Sequence, residues 1–482
     1  MNTPEHHRPS HAPRNALLLF TATILFLNGC ATVGPDYVAP SMDVPANWRE
    51  RSPQGSDTDL PRLAEWWRQL NDPVLDQLVA RALESGPDVR EAVARLREAR
   101  AQRAVVGADR FPRAGLDAAY QRRGESEHTA TGAFVGDSSS YVAGFDTMWE
   151  IDLWGRVRRL VEAADADFAA TIEDARDVAL LLAAETASTY VDLRSFQRRV
   201  AIAHTNVDLQ DQTLEITRAR FDAGLVGERD VAQASTNVEV TRSRVPALEA
   251  GWRAAENRLA VLLGVAPGQL ADDLDFVRPI PIPPRRAAVG LPADLVRNRP
   301  DVRRAERVLA AEHARIGVAT GDLYPRLALS GTLGLAADHA SDLFRQSSNV
   351  FGIGPSVRWS LFEGGRLRAR VAAQGARAEQ AFIRWERTVL AALEETETTM
   401  TRLVREQARR ESLARAANQA RRAVELAQFE YNEGLSDFQA VLDSQRALAL
   451  LEDDLTLASA AIAKHFIAVQ KALGDTSTRS AG

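Results

Sequence analysis

Side chains able to do chemistry are few and scattered. The chain holds one cysteine, Cys30, and eight histidines, of which His128, His204, His313, His339 and His465 lie after it at irregular spacing. There is no HExxH, no CxxC pair and no glycine-rich phosphate loop, so neither a catalytic constellation, a metal set nor a cofactor site is expected. Four methionines, one of them the initiator, provide no methionine-lined route for copper. The net charge is only -6 and the basic residues are interspersed with acids, so no basic stripe could neutralise a phosphate backbone and nucleic acid is not an expected partner. Asp443 and Arg446 stand three residues apart near a helix start, a spacing that by itself gives a local ion pair worth about 0.2 to 0.5 kcal/mol. With 45% hydrophobic and 26% charged residues, the chain is a folded protein with a sizeable core.

Cys30 follows a charged stretch with Arg8 and Arg14, the apolar run Ala16 to Leu27, and then Asn28-Gly29. About twelve apolar residues are too few to span ~30 Å of hydrocarbon but suit the core of an export signal over residues 1–29. Leu27-Asn28-Gly29-Cys30 resembles the lipobox of bacterial lipoproteins, where small residues admit the peptidase to the bond before the cysteine. That resemblance implies an acylated Cys30 as the mature N-terminus; the alternative is a free cysteine beside an ordinary cleavage site. A lone cysteine cannot form an intramolecular disulfide, and acyl chains would anchor firmly at about 0.8 kcal/mol per buried methylene. Residue 31 is alanine rather than aspartate, which under the lipoprotein sorting rule implies the outer membrane.

The elements that must position the remaining residues are written twice. Adding 210 carries Tyr141, Gly144, Trp149, Gly155 and Arg156 onto Phe351, Gly354, Trp359, Gly365 and Arg366. The same shift takes Phe221 and Gly224-Leu225 onto Tyr431 and Gly434-Leu435, and Leu263-Gly264 onto Leu473-Gly474. Upstream the shift becomes 213, pairing Pro87-Asp88-Val89-Arg90 with Pro300-Asp301-Val302-Arg303 and Phe111-Pro112 with Tyr324-Pro325. A constant register over such a span is an internal repeat. The units run over 86–264 and 299–474, after an N-terminal segment 30–85, with a proline-rich linker over 265–298 and a tail over 475–482.

Within each unit the hydrophobic period changes in a fixed order. Helical spacing over about 87–109 and 300–322 ends at Phe111-Pro112 and Tyr324-Pro325, since proline disfavours helical geometry in the preceding residue. Alternation then predicts strand hairpins over 113–154 and 326–363. Pro355 removes a ladder donor in the last strand and predicts a bulge there. Two long helical hairpins follow, over 156–264 and 366–474, each with a first arm of about 100 Å at ~1.5 Å per residue. Alanine-rich stretches let neighbouring helices approach closely in a coiled-coil wall, and the chain turns at Gly224-Leu225 and Gly434-Leu435.

Four strands per chain cannot close a membrane barrel, which begins at about eight strands. An open sheet in lipid would leave edge groups unsatisfied at several kcal/mol each. The chain is therefore expected to oligomerise. Tyr141, Phe145, Trp149, Phe351 and Trp359 fall on the outward face, where aromatic rings suit a membrane interface; the alternative for them is the core of a soluble sandwich.

Several motifs together resemble the outer membrane factor family of TolC-type ducts, in particular its lipoprotein branch serving resistance-nodulation-division pumps. They are Cys30 with Val33-Gly34-Pro35-Asp36-Tyr37-Val38-Ala39-Pro40, Trp66-Trp67 with Asp72-Pro73, Phe111-Pro112, Trp149 to Arg156, Arg299-Pro300-Asp301, Tyr324-Pro325 and Trp359 to Arg366. The resemblance implies an α+β membrane protein: a homotrimer with a twelve-stranded outer-membrane β-barrel, four strands per chain, continued by a long periplasmic α-helical barrel. It implies export of small molecules, with a periplasmic adaptor, bound to an inner-membrane pump, docking at the tips near Gly224, Leu225, Gly434 and Leu435. Val441-Leu442-Asp443-Ser444-Gln445-Arg446 resembles the family's gate segment, so that Tyr431, Asp443 and Arg446, with Asp230 in the first unit, fall on periplasmic gate positions. Ala440 and Ser436 depart from that pattern, standing where some members have an aspartate and an arginine. A lipid-anchored periplasmic adaptor is the alternative, although it would carry one helical hairpin rather than two complete units.

Fatty-acid labelling should be present in the wild-type protein and absent from Cys30→Ser. Equal labelling of the two would remove the lipid anchor from the picture.

Overall fold

A computed structural model describes residues 32–49, 63–124, 126, 128, 138–270, 274–284 and 292–474. Cys30 and the 1–29 leader, most of the 125–138 loop and the 475–482 tail lie outside the described residues. The helices are α1 (Pro73–Ser85), α2 (Pro87–Gly107), α3 (Arg156–Asp222), α4 (Glu228–Arg242), α5 (Val245–Leu263), α6 (Pro292–Asn298), α7 (Pro300–Gly321), α8 (Arg366–Asn432) and α9 (Phe438–Leu473). The strands are β1 (Arg113–Arg123), β2 (Ser138–Ile151), β3 (Arg326–Ala337) and β4 (Asn349–Arg358). The chain divides into two compact units: Met1–Pro40 with Glu98–Ala169 and Glu306–Arg384, and Ser41–Arg97 with Ala170–Ala305 and Trp385–Gly482.

The first unit contains one antiparallel sheet in the order β1-β2-β3-β4. Period-two alternation gives it two unlike faces. One cross-strand row is Leu116, Phe145, Leu333 and Phe351, and the next row on the other face is Gly115, Asp146, Thr332 and Gly352. The apolar row is 68%, 57%, 64% and 82% exposed, so this face has no covering layer among the described residues. A soluble sandwich core is thereby excluded for these side chains. Pro355 sits in an unbroken register opposite Leu329, with Ser356 opposite Ala328 and Gly354 opposite Ser330. The expected bulge is absent because β4 is the outer strand, where a missing donor does not interrupt an interior ladder.

The seam between repeats lies between β2 and β3, where Gly144 faces Gly334. A Cβ on Gly334 would lie 2.7 Å from the Ala143 carbonyl oxygen and 2.8 Å from Gly144 Cα, both backbone atoms. Two further contacts are duplicated across the repeat. The Trp149 indole N–H donates to the Arg110 carbonyl at 3.0 Å, and its counterpart Trp359 donates to the Leu323 carbonyl at 3.1 Å. Each ties a strand end to the residues that close the preceding helix. The N-terminal strap is fastened to the same unit: Val33 N–H donates to the Trp154 carbonyl at 2.9 Å, and the buried Arg159 guanidinium reaches Asp36 at 2.5 Å. Tyr37 completes the strap by donating to Glu306 at 2.6 Å.

In the second unit the repeat is visible as equal helices. The first arms α3 and α8, which also contribute to the first unit, are each 67 residues long. The second arms differ, because Pro246 near the start of α5 breaks the first at Ser243-Arg244, whereas α9 runs unbroken over 36 residues with threonine at the corresponding position 456. Proline in a helix interior removes one backbone bond and clashes with the preceding turn. Both arms end on left-handed glycines, Gly264 (φ 72) and Gly474 (φ 67). Trp66, Tyr190, Leu259 and Phe466 lead the core of this unit. Arg299 fastens its second repeat by bonding Asp301 through two nitrogens, Glu395 at 3.0 Å and the Ala472 carbonyl at 2.7 Å.

Gly334→Val should destabilise the sheet by about 1 to 3 kcal/mol, the ordinary cost of overpacking. Thermal melting of the purified protein, followed at a β-sheet circular dichroism band, should shift downward; an unchanged midpoint would show that β2 and β3 separate freely at the seam.

Candidate gate site

The tips of the helical hairpins are set by backbone geometry. Gly224 (φ 72) and Gly434 (φ 73) take the left-handed conformation that ends α3 and α8. Leu225 N–H then donates to the Arg220 carbonyl at 2.9 Å, and Leu435 N–H to the Glu430 carbonyl at 2.8 Å. These are the long closing bonds of a Schellman motif. The side chains of Leu225 and Leu435 are left 68% and 76% exposed. The next helix starts differently in the two repeats: Asp437 caps α9 by accepting from Ala440 N–H at 3.1 Å, while Gly227 supplies no side-chain cap to α4.

Behind the tips, Val207, Leu214, Val238, Tyr431, Phe438 and Leu442 belong to a small apolar cluster that draws on both repeats. Tyr431 is 3% exposed and its ring lies 5.7 Å from that of Phe438. Arg220 stacks over the Tyr431 ring at 4.4 Å and also donates to the Tyr431 carbonyl. The Tyr431 hydroxyl and Arg220 Nε are buried without a hydrogen-bond partner among the described residues. Deeper in, Gln445 donates to the Thr213 hydroxyl at 2.8 Å.

Asp443 and Arg446 are 4.0 Å apart, with side chains 64% and 50% exposed. Asp443 accepts from Gln439 at 2.9 Å, and Arg446 donates to Asn237 of α4 at 3.2 Å. The stronger contact of Arg446 thus joins α9 to the first repeat. Asp230 lies in the first turn of α4, and its carboxylate makes no side-chain bond among the described residues. The structure therefore brings Tyr431 into a packed cluster and Arg446 across to α4, and it leaves Asp443 exposed and Asp230 half-buried. Sequence reasoning missed Arg220 and Asn237. The 210-residue register sets Arg220 against Glu430 and Asn237 against Ala447, so neither was flagged by repetition, and cation–π stacking has no spacing signature.

Of the expected membrane-interface aromatics, Phe145 and Phe351 are well exposed on the apolar face and Trp359, just past the end of β4, is also exposed, while Tyr141 packs against Tyr120 at 4.7 Å between ring centroids. Trp149 and Trp359 use their indole nitrogens in the contacts described above, which position alone could not reveal. No group of three or more His, Cys, Asp or Glu side chains converges as a metal site among the described residues.

The comparisons with known proteins follow the same division of the chain. A family model described as outer membrane efflux protein matches residues 78–265 and 291–475, one stretch for each repeat. The chain is 30% identical over 450 residues to nodulation protein T of Rhizobium leguminosarum bv. trifolii, an overlap covering 93% of this chain and 95% of that protein. It is 30% identical over 465 residues to the pyoverdine export outer membrane protein OpmQ of Pseudomonas aeruginosa, covering 95% and 96%. Its fold matches the outer-membrane channel OprN with a TM-score of 0.85 at 36% identity, covering 92% of this chain and 99% of that one. The periplasmic-adaptor alternative is set aside by these matches. The chain belongs to the outer membrane efflux protein family, as the outer-membrane channel component of an efflux system.

Proposed function

We propose that three copies of the chain close a twelve-stranded barrel whose helices continue as a periplasmic tube, anchored by an acylated Cys30 and shut at rest by contacts at the hairpin tips. The observation that carries this reading is the sheet itself: four strands with one bare apolar face and two open edges, β1 and β4. Lipid satisfies the face but not the edges, where each unpaired backbone group in hydrocarbon costs several kcal/mol. Pairing β4 of one copy with β1 of the next removes every edge, Pro355 being the one β4 residue that brings no N–H to the ladder. The polar face, with Asp117, Asp146 and Glu150, then lines a wet lumen. Such a conduit performs no catalysis. It carries small molecules selected by an inner-membrane pump of the resistance-nodulation-division class, and a periplasmic adaptor docks on the exposed Leu225 and Leu435 tips. The naming of a relative for pyoverdine export supports a small-molecule cargo.

At the gate, threefold symmetry places three Asp443 carboxylates around one axis. Arg446, held by Asn237, keeps α9 against α4, and adaptor binding opens the tip by exchanging these contacts. The exposed Asp443 carboxylates favour cations at the entrance.

Two substitutions on opposite faces of the sheet test the barrel. Phe351→Arg should cost about 2 to 4 kcal/mol at mid-membrane and sharply lower the yield of trimer in outer-membrane extracts, whereas Thr332→Arg on the polar face should leave yield intact. Equal loss from both would contradict a lipid-facing apolar side. For the gate, replacing Asp443 and Arg446 together by alanine should raise single-channel conductance and sensitise cells to large antibiotics such as vancomycin without lowering trimer yield; unchanged conductance would reduce the pair to a local ion pair.

A further inference from the structure

The polar face of the sheet carries an unbalanced charge close to the helix starts. Arg326 and Arg358 stand directly opposite each other in the β3–β4 register, and like charges so placed repel. They line one cleft of about 580 Å³ within the first unit, together with Arg113, Arg156, Arg366 and Arg370. Four of these six are matched by carboxylates: Arg113 by Asp109, Arg156 by Glu150 at 2.8 Å, Arg326 by Asp322 at 2.5 Å and Arg366 by Glu363 at 2.5 Å. Arg358 and Arg370 make no hydrogen bond or ion pair among the described residues. Asp152, just past β2, is engaged by Arg158, and the acids farther up the same face are Asp146 and Asp117. Asp146 is level with Thr332, six residues along β3 from Arg326, or about 20 Å at ~3.3 Å per residue. That distance exceeds the Debye length of about 8 Å at physiological salt, so these acids do not neutralise the arginines.

Arg358 and Arg370 share this cleft with Arg326, and Arg370 lies close enough to Glu363 to attract its carboxylate without bonding it. Six guanidinium groups against four carboxylates, in a space large enough for a small organic ion, form a receptor for an oxyanion. The planar fork of arginine matches carboxylate and phosphate in paired contacts. We propose that this cleft is an anion-binding station on the lumen face of the duct, with Arg358 and Arg370 holding the carboxylate or phosphate group of a solute in transit. The proposal rests on the trimeric duct described above, in which three such clefts surround the path. Arg326 raises the local positive potential while remaining tied to Asp322.

The test uses purified trimer in planar bilayers under a potassium chloride gradient, with citrate and inorganic phosphate as probes. Citrate should reduce the wild-type current in a saturable way. The double variant Arg358→Gln with Arg370→Gln should bind citrate at least about tenfold more weakly, equivalent to about 1.4 kcal/mol, and its reversal potential should move toward cation selectivity. Arg358→Lys should retain the wild-type reversal potential while weakening citrate binding, because it keeps the charge and loses the fork. Wild-type current indifferent to both anions would overturn the station, as would identical block and selectivity in the double variant. Organic phosphorus that co-purifies with wild type and is lost from the double variant, with selectivity unchanged, would assign the arginines to a lipid headgroup and also overturn it. A wild-type protein that forms no channels would instead count against the duct itself.

Discussion

A backbone donor or acceptor facing hydrocarbon has no water to fall back on, and the rest of this architecture follows from that constraint. The sheet has a row of Leu116, Phe145, Leu333 and Phe351 that only lipid can cover, yet it ends on both sides in open strands. Burying the face in a membrane is favourable only if the edges are satisfied at the same time. A single chain offers no solution, because four strands are too few to curl into a closed ring. Self-association is thus built into the requirement for a membrane face rather than added to it. The adjacent Gly144 and Gly334 serve the same end by letting the two repeats meet with their backbones close on the polar side.

Repetition supplies the scaffold, and departures from it supply much of the specificity. In the first helical hairpin Asp211 pairs with Arg242 at 2.9 Å, and in the second the corresponding positions hold Arg421 and Glu452 at 2.6 Å, with the charges exchanged. Crossing the arms of the two hairpins would set acid against acid and base against base, so the exchange discriminates between repeats even though each exposed pair stabilises little. A similar asymmetry occurs where each unit begins. Arg299 reaches the Ala472 carbonyl, whereas the corresponding Gly86 places its backbone against the Leu262 carbonyl directly. One repeat closes its helix end with a charge-assisted bond and the other by close approach.

Much of this was legible in the sequence because it depends on periodicity. The alternation of Leu116, Ala118 and Tyr120 specifies the faces of β1, and the 210-residue register aligns α3 with α8 as equivalent arms. Elements that depend on a single residue in context were less legible. Pro355 reads as a bulge from local rules, but an outer strand tolerates it without one. Pro246 breaks the second arm of the first hairpin, a kink that the matching glycines at the ends of both arms obscured. At the gate, motif resemblance selected Tyr431, Asp443 and Arg446, while Arg220 and Asn237 became visible only as contacts across α3, α4, α8 and α9. Such contacts join residues about two hundred positions apart and leave no local pattern.

The difference in fastening between the tips and the rest of the second unit bears directly on the proposed gate. Arg299, largely buried, bonds two carboxylates and a carbonyl, so separating it would leave a charge and several polar groups without partners. At the tips, by contrast, Asp443 and Arg446 are half or more exposed and 4.0 Å apart, and Arg446 reaches Asn237 at 3.2 Å. The exposed ion pair is worth about 0 to 1 kcal/mol, since water replaces it when it parts, while the bond to Asn237, itself buried, holds more firmly. Three copies would sum to a few kcal/mol, a barrier that the differential binding of one partner can offset. In the proposed gate the apolar cluster around Tyr431 and Phe438, which draws on both repeats, ties the two hairpins of one chain to each other while the tips exchange their surface contacts. Opening by displacement of both hairpins of a chain together conserves that burial, whereas parting the two hairpins or unwinding individual helix ends would forfeit it.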